Sequence, residues 1–126
     1  NGSYGRLRIT ATSGNRASPI EDVLITVTRA GTEPPELLAV LLTDSNGTTQ
    51  TLEISAPSET LSETPSDEKV SATVDITAYK KGYFEVLNRN VAVFSGITSI
   101  QPVNMVPLPL NSPPMKSVFT ERSPNL

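Results

Sequence analysis

The sequence predicts an all-β protein, a seven-stranded Greek-key β-sandwich. Three observations predict it. Val, Ile and Thr number 11, 7 and 15 in 126 residues, and good helix windows are scarce. Apolar residues recur at every second position in several short runs. Gly and Pro punctuate those runs at turn-like intervals. About seven short strands in roughly 105 residues fit two stacked sheets, with a small barrel as the competing architecture.

The first strand is expected over Arg6 to Thr12, with Leu7, Ile9 and Ala11 on one face and Arg6, Arg8 and Thr10 on the other. Ser13-Gly14-Asn15 breaks it. Pro19 and Ile20 lead into the clearest strand, where Val23, Ile25 and Val27 alternate with Leu24, Thr26 and Thr28. A helix is excluded there because the run is β-branched and its apolar spacing is two. Gly31 to Pro35 reads as a turn, since Pro34-Pro35 cannot join a central ladder. Leu37 to Thr43 is an apolar run whose length favours strand. Asp44-Ser45-Asn46-Gly47 is a strong turn, and Thr49 to Ile54 is expected to return as the hairpin partner of Leu37–Thr43.

Ser55 to Glu68 differs in kind. It holds Pro57, Pro65 and the acids Glu59, Glu63, Asp67 and Glu68 with no base, and reads as an acidic surface loop. Val70 to Lys80 resumes alternation, with Val70, Ala72, Val74, Ile76 and Ala78 inward and Thr73, Asp75 and Thr77 outward. Beyond the Lys81-Gly82 turn, Tyr83 to Val86 and Asn90 to Phe94 read as two strands. Ser95-Gly96 turns the chain again. The last strand, Thr98 to Val106, carries Pro102 and is therefore expected at an edge or a bulge. Six of the eleven prolines lie at or beyond position 102. The domain is accordingly assigned to residues 1–108, and 109–126 to a Pro-rich linker or tail.

Composition removes many functions. With no Cys and no His, disulfides, thiolate metal sites, imidazole ligands and His-based triads are all excluded. Net charge is −3 and no basic block exists beyond Lys80-Lys81, so nucleic-acid binding is not expected. No apolar run approaches the ~18 residues that cross a bilayer. Asn1-Gly2-Ser3 shows neither the basic nor the apolar region of a signal peptide.

Four local patterns carry chemistry elsewhere. Ser66-Asp67-Glu68-Lys69 has the Ser-x-x-Lys spacing of penicillin-recognising enzymes, but it sits in the acidic loop without the partner motifs. Asp44–Gly47 has the opening of a calcium loop, yet the Gly comes two positions early and no bidentate Glu closes it; a hairpin turn is the expected reading. Asn46-Gly47-Thr48 also satisfies the glycosylation sequon. Glu21-Asp22 and Glu59/Glu63 are carboxylate pairs without a defining context, and Glu21-Asp22 should splay apart on a strand. No catalytic residue, metal ligand or cofactor site is assigned. Tyr79, Tyr83 and Phe84, around the Lys81-Gly82 turn, form the candidate binding surface. Tyr83 is expected to plug the end of the core, and Tyr79 falls on the outward register.

In order, five pieces resemble the carboxypeptidase regulatory-like family, which has a transthyretin-like (prealbumin-like) sandwich. They are Gly5-Arg6-Leu7-Arg8-Ile9, Pro19-Ile20 through Val27, Leu42-Thr43-Asp44-Ser45-Asn46-Gly47, Ala78-Tyr79-Lys80-Lys81-Gly82-Tyr83 and Val91 through Gly96. Two departures stand out: Asp22 where the family has Gly, and the 55–68 loop in place of a short Pro-containing segment. The stretch Phe94 to Leu108 resembles the end of such domains in envelope or spore cortex-lytic proteins of Firmicutes.

The resemblance implies a non-catalytic accessory module of a larger bacterial cell-envelope or spore protein. It would be a spacer, stabiliser or docking surface whose partners are neighbouring domains. The alternative is a glycan-binding module for peptidoglycan or another cell-wall glycan. A peptidase inhibitor using the acidic loop ranks third. The hydroxyisourate hydrolases of the same fold rely on histidines, so that activity is not implied.

Overall fold

Leu7, Ile9 and Ala11 are fully buried while Arg6, Arg8 and Thr10 between them are half-exposed, so the first segment is a strand with one wet face. The structure, a computed structural model, describes residues 4–14, 18–55, 70–109 and 118–122. Among the described residues there are nine strands and no helix. They are β1 (Tyr4–Ser13), β2 (Ser18–Pro19), β3 (Leu24–Arg29), β4 (Glu36–Leu42), β5 (Leu52–Ser55), β6 (Val70–Tyr79), β7 (Glu85–Phe94), β8 (Thr98–Met105) and β9 (Val118–Arg122).

They make a two-sheet β-sandwich. In the first sheet every strand pairs with β1: β2 and β5 antiparallel at opposite ends of one side, β8 parallel along the other. The second sheet runs β4-β3-β6-β7-β9, antiparallel except for the parallel pair β7–β9. The core lies between them. Leu7 and Ile9 from β1 and Val103 and Met105 from β8 meet Ile25, Val27, Val74 and Ile76 from β3 and β6. Each such side chain contributes about 1.5–3 kcal/mol by leaving water.

The inward register expected for Ala72, Val74, Ile76 and Ala78 is observed, as is that of Ile25 and Val27. Val23, just ahead of β3, is also fully buried. Pro102 sits in β8, which pairs with β1 alone. An edge tolerates a residue without an N–H. The Gly31–Pro35 turn contains a cis Glu33–Pro34 peptide.

Five expectations are corrected. Leu37–Thr43 and Thr49–Ile54 are not a hairpin: β4 pairs with β3 in one sheet and β5 with β1 in the other. The Asp44–Gly47 turn switches sheets, because Gly47 hydrogen-bonds through its carbonyl to Ala11 N at 2.7 Å and Thr48 bridges to Thr10. That approach needs glycine, since a Cβ at Gly47 would stand 2.6 Å from the Ala11 carbonyl oxygen, and φ is +74°.

Second, the segments around Val86 and Phe94 are one strand. Asn90, at φ 58°, adds a residue to β7, so burial passes from Val86 and Asn88 to Val91 and Val93 without changing face. Its N–H donates to Asp75 Oδ1 at 3.0 Å, opposite the register shift in β6. Third, Glu21 and Asp22 occupy a bend, exposed, with Asp22 at φ 64°. Fourth, the strand count exceeds seven because β2 is a two-residue pairing and β9 adds a strand beyond the expected set. Fifth, β9 falls inside the stretch read as a tail, where its pairing with β7 extends the second sheet.

Candidate functional site

The aromatic corner is built by the Lys80–Gly82 turn. Tyr83 N–H donates to the Lys80 carbonyl at 3.1 Å, and Gly82 takes φ 93°. Phe84 N–H then donates to the Val106 carbonyl, and Leu108 N–H to that of Gly82, tying the corner to the end of β8. Tyr83 packs against the core, while Tyr79 is 47% exposed on the outer face of the five-stranded sheet. Phe84 is half-buried. The three side chains therefore divide between the end of the core and the outer face.

The Asp44 carboxylate is engaged locally. Its Oδ1 accepts from the N–H groups of Asn46 and Thr48, at 2.9 and 3.0 Å, which makes it a turn-forming acceptor. Glu53 lies exposed on β5. Among the described residues no group of three Asp, Glu, His or Cys is placed to hold a metal ion. Ser66-Asp67-Glu68-Lys69, Glu59 and Glu63 lie outside the described residues.

Buried polar groups mostly serve the backbone. Thr43 Oγ1 donates to the Ile20 carbonyl at 2.7 Å and accepts from Val23 N–H at 2.9 Å. Thr49 Oγ1 accepts from Ile9 N–H and donates to the Gln50 carbonyl. These hydroxyls pin the chain where it leaves one sheet and enters the other. Asn88, 1% exposed on β7, leaves its Oδ1 without a hydrogen-bond partner.

A further feature escaped the sequence reading. On the outer face of the five-stranded sheet, Leu42, Leu24 and Tyr79 stand opposite one another across β4, β3 and β6, each more than 40% exposed. Val40 and Leu37 continue the apolar surface along β4. The signal present in the sequence was the run Leu37–Leu42, apolar at every position rather than every second one.

No protein-family model matches the chain, and no curated protein matches its sequence. Solved structures share the fold, two of them as follows. The Bacillus anthracis TIE protein aligns with a TM-score of 0.54 at 13% identity, over 84% of this chain and 17% of that one. GBS52, the minor pilin of the Gram-positive pathogen Streptococcus agalactiae, aligns with a TM-score of 0.54 at 14% identity, over 91% of this chain and 49% of that one. The chain thus spans less than half the length of either. At such identities the likeness establishes the β-sandwich fold.

Proposed function

We propose that this chain is a non-catalytic β-sandwich module of a larger bacterial envelope protein, of the transthyretin-like, carboxypeptidase regulatory-like kind. It acts as spacer, stabiliser or docking surface beside neighbouring domains. The observation that carries this reading is where the side chains go. Alternate residues fill the core, the buried hydroxyls hold backbone, Asp44 and Asp75 accept from backbone N–H groups, and Glu36 pairs with Arg29. The recurrence of the fold as part of longer chains, one of them a minor pilin, supports the modular and envelope parts of the reading.

The glycan-binding alternative draws on Tyr79, whose ring is exposed. Its registered neighbour Leu24 is apolar, and a sugar needs hydrogen-bonding groups beside the ring. Those surroundings favour a protein contact. The deciding experiment treats intact and lysed cells of the source organism with trypsin and follows peptides of this domain by mass spectrometry. Release from intact cells is expected. Release only after lysis overturns the envelope assignment. Retention of the domain on peptidoglycan, lost in Tyr79→Ala, installs the glycan reading in its place.

A further inference from the structure

β4 closes the five-stranded sheet, pairing with β3 and with no other named strand. Edge strands normally deter further strands with lysine, proline or a bulge that turns the edge away. From Leu37 to Leu42 this edge has no charged residue and no proline. The one register shift of the β3–β4 pair, at Val27/Thr28, makes Leu38 a bulge in β4 and leaves Ala39–Leu42 in regular pairing. Leu38 and Leu41 pack against the core, whereas Leu37, Val40 and Leu42 are each more than half exposed. Leu24 and Tyr79 widen that surface across the sheet.

Charge at the ends of β4 discriminates between occupants. Glu33 and Glu36 precede the apolar run and Asp44 follows it, all exposed. Glu36 pairs with Arg29 at 3.0 Å, but its side chain remains 53% exposed. Consider antiparallel pairing with a second copy, Val40 against Val40 so that the outward faces coincide. The Glu33–Glu36 end of each copy then lies at the Asp44 end of the other, and like charges brought together across a strand pair are destabilising. A strand carrying lysine or arginine at those two places meets complementary charge instead.

We propose that the open edge of β4 accepts an added antiparallel strand from another protein, an extended segment of alternating apolar residues flanked by a basic residue at each end. Backbone groups of alternate β4 residues supply the pairing, and the outward face of β4 at Val40 and Leu42, backed by Leu24, takes the side chains. The acidic ends fix the register and reject acidic strands. This goes beyond the module reading and is tested separately from it: protease access in cells decides the one, strand binding the other.

The probe is a synthetic peptide with a lysine at each end and valine at alternate positions between. It is titrated into the isotope-labelled full chain and followed by amide NMR. Saturable shifts confined to β4 and the adjoining residues of β3 are expected. Val40→Lys, an exposed change, weakens binding by about tenfold or more while the amide spectrum of β1 and β8 stays unchanged. The same peptide ending in glutamates binds at least ~10-fold more weakly at low salt, and salt of about 1 M, with a Debye length of ~3 Å, narrows the gap. Absent or unsaturable shifts, shifts centred elsewhere, equal binding of the two peptides, or a dimer of the chain alone through β4 would each overturn the proposal.

Discussion

The two sheets end in edges of opposite character. β8 closes the first sheet with Pro102 at its middle, and the β1–β8 register runs unbroken through Thr10 and Pro102, which sets the missing N–H on the open side. The Gln101 side chain also folds onto this strand, its Nε2 donating to the Pro102 carbonyl at 3.1 Å. β4 closes the second sheet with no charge and no proline between Leu37 and Leu42, and its one bulge lies at Leu38, at the start of that run. Both strands serve one core, Val103 and Met105 from β8 buried within it and Leu38 and Leu41 from β4 packed half-buried against it. The difference therefore lies in what each edge offers to outside strands, and core packing does not require it.

The largest effect is expected from removing what supports both edges. Ile25 on β3 and Val74 on β6 are fully buried, so Ile25→Asp or Val74→Asp leaves an unpaired carboxylate in the core. The loss of several kcal/mol compares with the ~5–15 kcal/mol that holds a domain together. Circular dichroism should show a chain unfolded, or nearly so, at room temperature. Thr26→Asp and Thr73→Asp lie one residue away on the wet face and should cost no more than about 1 kcal/mol. Equal losses from both registers in thermal melts would show that the edges do not share the core described.

That register was legible in the sequence because burial on one face imposes a period of two, and β1, β3 and β6 display it plainly. The topology was less so. Nothing in Asp44–Gly47 distinguishes a turn that returns beside its own strand from one that crosses to the other sheet. The deciding contact, Gly47 against Ala11, is between residues far apart in the chain. The extra residue at Asn90 hid the continuity of β7, since a bulge breaks the alternation from which strands are read. As for the candidate surface, Tyr79 was legible as outward-facing. Its neighbours Leu24 and Leu42 were not, because cross-strand register follows only from topology.

A middle-sized effect sits at the crossing that leads from the β4 edge into the other sheet. Gly47→Ala introduces a Cβ 2.6 Å from the Ala11 carbonyl oxygen at a residue with φ +74°. Gly31, at φ +80°, has nothing within 4 Å of the position a Cβ would take, and so isolates the cost of backbone conformation. Gly31→Ala should lose roughly 1–2 kcal/mol, and Gly47→Ala about 1–3 kcal/mol more. Denaturant titration reads both. A Gly47→Ala loss no greater than that of Gly31→Ala would mean the crossing accommodates a methyl group, and the close approach of the crossing turn to β1 would lose its role.

The smallest change in stability, and the sharpest reading of the contrast, comes from exchanging the characters of the edges. Val40→Lys places a charge on the exposed face of β4, and Pro102→Thr returns an N–H to the open side of β8. Val40 is more than half exposed and Pro102 lies at an edge, so each variant should stay within about 1 kcal/mol of the parent. Their association should move in opposite directions. Light scattering during slow heating reports edge-to-edge growth through its onset temperature relative to the melting temperature. Val40→Lys should delay the onset and Pro102→Thr should advance it, because the first blunts an open edge and the second opens a blunted one. If both variants shift the onset the same way, surface hydropathy rather than strand pairing governs association, and the two edges are equivalent after all.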